Sequence, residues 1–169
     1  VSSKAVLEEI KHKVDGKVAF WSPQMGANAP RTPFLPTLMS GNTLTLEGKT
    51  IEVRGTTGVL ANRPYVWIPS IKTIAGDVNT YAGMHVWTAD SATPALRSAW
   101  VKRLDEMKAL KPTTFVPGHM VANTPLKPEV IDYTRNYLVT FEKAMSASKD
   151  STQVIKKKKK AYPNAAAVD

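Results

Sequence analysis

Tyr65-Val-Trp-Ile-Pro-Ser-Ile-Lys-Thr-Ile-Ala-Gly-Asp77 is the stretch that decides the fold. Tyr65 to Ile68 reads as a short strand stopped by Pro69, and Ile71 to Ala75 reads as a second strand. Pro69-Ser70 makes the pair a hairpin, and Gly76 lets the chain turn sharply as it leaves the sheet. Asp77 then stands at a strand's carboxyl end, where α/β folds commonly place ligands.

The same pattern recurs downstream. Thr114-Phe-Val116 reads as a short buried strand and exits through Pro117-Gly118-His119. A helix from about Pro94 to Leu110 lies between the two exits, with Thr93 as its N-cap and Pro94 at its first position. Leu96, Trp100, Leu104 and Met107 recur along it at helical spacing. Upstream, Asn42 to Arg54 is a hairpin: Leu44, Leu46, Ile51 and Val53 alternate with polar residues, and Gly48 marks the turn.

The ends are helical. Residues 3 to 14 form an amphipathic helix capped by Ser3, with Val6, Leu7, Ile10 and Val14 on one face and His12 on the polar side. Pro23, Pro30, Pro33 and Pro36 exclude regular structure between Trp21 and Pro36. By position, Trp21 and Phe34 of that loop are expected at a pocket mouth. A third long helix is expected from Pro128 to about Ala147 and a short one over residues 151–161, with a frayed end from Tyr162 onward. Residues 1–150 thus form one unit and residues 151–169 a basic tail or short helix. Strands mixed with covering helices predict an α/β layered domain.

Composition narrows the chemistry. The 169 residues include no Cys, which removes disulfides, thiolate metal sites and a Cys nucleophile. The net charge of +9 is concentrated: Lys156 to Lys160 is one run of five lysines, leaving about +4 for the rest. Such a run usually lies in solvent, and no aromatic residues interleave with it, so nucleic acid is not an expected partner. No apolar run approaches the roughly 20 residues of a membrane span. The compartment is left open between cytoplasm and periplasm. Val1 in place of Met reads as a processed product or a piece of a longer protein.

Asp77 and His119 are the two metal-capable side chains that follow a strand and a glycine. Taken singly, each has a plainer reading, as a turn Asp and a loop His. Together they are two candidate ligands for Zn²⁺, whose catalytic sites use three protein ligands and an open position. His85 is a candidate third ligand, a group that contacts substrate or supports the ligands near the metal, or a loop and packing residue. Trp87 and Trp100 read as core aromatics.

At this point the sequence resembles a family. Val66-Trp-Ile-Pro-Ser70, Ile74-Ala-Gly-Asp77, Val86-Trp-Thr-Ala-Asp90, Leu110-Lys-Pro112 and Val116-Pro-Gly-His119 are similar, in order and spacing, to the C-terminal half of the metallo-β-lactamase-fold hydrolases. Tyr133-Thr-Arg-Asn-Tyr137 and Ala161-Tyr-Pro-Asn164 fit a subset of them. The resemblance implies an αββα sandwich, mostly its C-terminal half, and a metal-activated water attacking an ester, lactone, thioester or amide bond of a small-molecule substrate. It implies that Asp77 bridges two metals and that His119 is the last His ligand. The family's His-x-His-x-Asp-His signature is absent, since His12 is the only His in residues 1–50. Where the family has a further metal-binding His, this chain has Thr56 or Thr57. A non-catalytic relative acting through oligomerisation or partner binding is the alternative, and an RNA- or DNA-binding relative a further one. A half-sandwich is expected to bury its open sheet face in a homo-oligomer.

Overall fold

A computed structural model describes residues 1–167. The decisive stretch folds as strands β3 (Tyr65–Ile68) and β4 (Thr73–Ala75). They pair antiparallel through a single 3-10 turn, Pro69–Ile71, with Lys72 left-handed. The upstream hairpin is β1 (Thr43–Leu46) and β2 (Lys49–Arg54). Leu46 faces Lys49 across a two-residue turn in which Glu47 and Gly48 both have positive φ. That is the turn whose twist suits adjoining strands.

These four strands form an antiparallel meander, and β6 (Thr114–Phe115) joins it parallel to β4. A parallel neighbour needs a crossover, which helix α2 (Pro94–Ala109) supplies. A second small sheet pairs β5 (Tyr81–Ala82) with β7 (His119–Met120), also in parallel. Helices α1 (Lys4–Met25), α3 (Glu129–Ser146) and α4 (Ser151–Ala161) complete the chain. The architecture is mixed α/β.

One buried cluster joins Tyr65, Trp67, Ile74 and Phe115 of the sheet with Trp100, Leu104 and Met107 of α2 and Ile131 and Leu138 of α3. Thr93 caps α2 by accepting from the Leu96 N–H at 3.2 Å. Arg97 is buried, pairs with Glu142 of α3, and donates to the Ser91 and Ala92 carbonyls at 2.8 Å each. It thereby ties α2 to α3 and to the turn before α2.

Several expectations change. Helix α1 continues to Met25, well past residue 14, and takes in Pro23. A proline near a helix end costs one backbone bond, and its fixed φ is itself helical. Ser3 sits at the N-cap position without a side-chain cap bond, and its hydroxyl is buried with no hydrogen-bond partner among the described residues. The end of the chain is held rather than frayed. The Tyr162 ring packs on Tyr133 and Tyr137, and Ala166 exchanges backbone bonds with Gly83 and His85 at 2.9 and 2.8 Å. Of the expected tail, residues 168 and 169 lie outside the described residues.

Residues 151–161 form the short helix. Lys158 is buried on it, so the lysine run does not face solvent as one block. Among the described residues, no helix is long and apolar enough to cross a membrane.

Candidate functional site

Strands β4 and β6 run side by side, and the same two segments meet again as β5 and β7. Between the two ladders both chains bulge, over residues 76–80 and 116–118. The Val116 N–H closes the first ladder on the Ile74 carbonyl at 2.9 Å, and the His119 N–H opens the second on the Thr80 carbonyl at 3.1 Å. Asp77 sits in this gap.

Asp77 is 5% exposed. Its Oδ1 accepts the Asn79 N–H at 2.6 Å, and the Thr80 hydroxyl donates to its two oxygens at 3.1 and 2.9 Å. The same hydroxyl accepts the Gly118 N–H at 3.3 Å, which links the two bulges. A Cβ at Gly118 would fall on the Asp77 carbonyl oxygen, so only glycine fits that close approach. Burial raises the Asp77 carboxyl to about 6, outweighing the Thr80 and Asn79 bonds that favour its charged form.

His119 follows directly. Its ring stacks on Tyr81, with centroids 4.3 Å apart and planes within 4°. Its Nδ1 is buried and has no hydrogen-bond partner among the described residues. His119 also lines a cavity of about 430 Å³ with Lys17, Arg63, Tyr81, Trp87 and Trp100. Arg63 is fixed there: it donates to Ser91 Oγ at 2.9 Å and to the Asp90 carbonyl at 2.8 Å, and lies over the Trp100 ring. Asn79, fully buried, receives the Trp100 indole N–H on its carbonyl at 2.8 Å.

The other candidates lie elsewhere. Thr56 and Thr57 line a different cavity of about 630 Å³, beside Glu52, Arg54, Tyr65 and Glu106. His85 contacts Tyr137: its Nδ1 lies 2.9 Å from the phenol oxygen, and burial with nearby Lys158 lowers its basicity. Trp21 lines a groove along α1, and Phe34 is 93% exposed, so neither lines the His119 cavity. Lys17 of the extended α1 does. Trp100 is core, whereas Trp87 is half exposed on the cavity wall.

Arg63, Asn79 and Thr80 are the residues that sequence reasoning missed. Asn79 and Thr80 had a readable signal, because an Asp two or three residues before them forms a side-chain turn with the backbone. Arg63 had none, since its role depends on a contact with a segment 27 residues away.

No family model matches the chain, and no curated protein matches it. A zinc ion is the group that the Asp and His pattern suggests. Among the described residues, no three His, Asp or Glu side chains stand close enough together to hold a metal ion. The unpartnered His119 Nδ1 suits a ligand, but Asp77 is already engaged by Thr80 and Asn79. Two donors fall one short of a catalytic set. The described residues alone therefore do not complete a zinc centre.

Proposed function

We propose that this chain carries the Asp and His portion of a metal-dependent hydrolase centre of the metallo-β-lactamase type, completed by ligands from another polypeptide segment. The single observation behind this reading is the apposition of the two bulges. Two parallel segments separated by a helix each leave the sheet at a glycine followed by Asp77 or His119. Gly118 and Thr80 lock those exits together. A buried carboxylate without a cationic partner among the described residues, on the segment paired with that of a His whose ring nitrogen has no partner among them, is the kind of arrangement that functional sites use.

In this reading Asp77 and His119 hold metal, and the cavity walled by Tyr81, Trp87 and Trp100 receives the substrate. Lys17, Arg63 and Asp90 also line it, which leaves a small net positive charge around the cavity. The test is a zinc titration of the chain followed by NMR of its three histidines. The His119 resonances should shift while those of His12 stay fixed, and Asp77→Asn should weaken the effect. Equal shifts at all three histidines, or none at His119, would sink the reading.

A second reading is a non-catalytic protein acting through oligomerisation or a partner. Its support is the exposed apolar set Phe20, Trp21, Met25 and Phe34. Sedimentation at several concentrations tests it, and a monomer throughout the micromolar range argues against self-association.

A further inference from the structure

Lys158 is a lysine where packing asks for none. It is 4% exposed, on the face of α4 that buries Val154 one turn earlier. An apolar side chain suits that face, and long charged residues are almost never fully buried unless paired. Lys158 forms no salt bridge with any carboxylate of the described residues. Its ammonium donates to the Tyr137 carbonyl at 3.1 Å and to Thr140 Oγ1 at 2.8 Å. It also lies 3.5 Å from the centre of the Tyr137 ring and 4.3 Å from that of Tyr162. Two neutral acceptors and two ring faces hold the cation in place without cancelling its charge.

Lys158 is one of the residues lining a cavity of about 640 Å³ between the 85–89 segment and helices α3 and α4. That volume lies within the ordinary range for small-molecule sites, which are mostly apolar with few polar groups. The lining fits the description: Val86, Phe141, Val154 and Ile155 form apolar walls. Among the described residues, the ionisable groups that line it are His85, Tyr137, Lys158 and Lys159, with neither Asp nor Glu. Lys159 is exposed at the edge and keeps its donors for a ligand.

We propose that this cavity binds a small amphipathic carboxylate, with its apolar body against Val86, Phe141, Val154 and Ile155 and its acidic group at the Lys158–Lys159 edge. Lys158 supplies a fixed positive field and Lys159 a mobile hydrogen-bond donor. The proposal does not depend on the reading of Asp77 and His119.

Isothermal titration of the full chain with octanoate tests it, with 1-octanol and octylamine as controls. Octanoate should bind at least about tenfold more tightly than octanol, a difference of one charge-assisted contact. Octylamine should not bind. Lys158→Met, which keeps the apolar stem, should weaken octanoate by about tenfold or more. If Lys158→Met does not fold, two surface changes decide: Lys159→Gln at the charged edge and Ile155→Trp across the mouth. Loss of affinity in either supports the proposal. It is overturned if octanoate does not bind, if octanol binds equally well, or if folded Lys158→Met binds unchanged. Unchanged affinity in both surface variants also overturns it.

Discussion

Helices α1 and α2 make an instructive pair. The 22-residue α1 buries no side chain, although Leu7, Ile10, Val14, Val18, Trp21 and Met25 form a continuous stripe along it. The 16-residue α2 buries Trp100, Leu104 and Met107 together with Arg97 and Arg103. Apolar content does not separate the two. Topology does: α2 is the crossover between parallel strands β4 and β6, so the chain must lay it across the sheet. Helix α1 is tied down near its start, where the Ser2 N–H meets the Thr37 carbonyl at 2.9 Å and the Met39 N–H meets the Ser2 carbonyl at 3.0 Å. Tight packing therefore follows the βαβ seam and its glycine contacts, and a helical stripe without such a tether stays half open.

The largest expected effect tests the seam. Gly118→Val puts a branched side chain onto the Asp77 carbonyl and should cost about 3 kcal/mol or more in urea unfolding. A loss below about 1 kcal/mol would mean that the two bulges are not locked together.

Leu104→Ala comes next, because Leu104 is fully buried in the α2 cluster. It should cost about 2–5 kcal/mol, depending on how far the cavity collapses. A near-neutral result would erase the contrast between the two helices.

A smaller, pH-dependent effect is expected at Lys158, whose ammonium is depressed to about 8 by burial. Its ordinary value is 10.5, so between the two the unfolded chain binds more protons than the folded one. Stability from this group therefore rises with pH from about 8 upward. Measured against Lys158→Met, the parent chain should gain roughly 1 kcal/mol between pH 7 and pH 9. A flat difference would mean that Lys158 is solvated like its neighbours.

The smallest effect sharpens the other side of the comparison. Trp21→Ser on α1 should change stability by less than about 0.5 kcal/mol, because Trp21 is half exposed. A larger, concentration-dependent loss would show that a second copy covers α1.

Much of the fold was legible. The Glu47-Gly48 turn, the stop at Pro69, the Thr93 cap and the helix over residues 94–110 are local chemistry, and each stands within a residue or two of its expected place. The extension of α1 through Pro23 was not legible, because proline's helix-breaking tendency weakens near a helix end. Asp77 and His119 were legible as candidates from their position after strand and glycine. Their surroundings were not. The Thr80 bridge to Gly118, the stacking on Tyr81 and the arrival of Arg63 are contacts between segments far apart in sequence.

The sequence by itself determined the order of the helices and of strands β1 to β4 and β6, the Glu47-Gly48 turn, the Thr93 cap and the two glycine exits, because those depend on backbone preferences over a few residues. It did not determine β5, β7 or the missing Ser3 cap bond. Only the tertiary structure decided which faces close. It brought Gly118 against Asp77, left α1 half covered, separated Thr56, Thr57 and His85 from His119, and sank one lysine of a five-lysine run among tyrosines. Burial and pairing depend on where distant segments meet, and neither spacing nor composition encodes that meeting in a form that can be read one residue at a time.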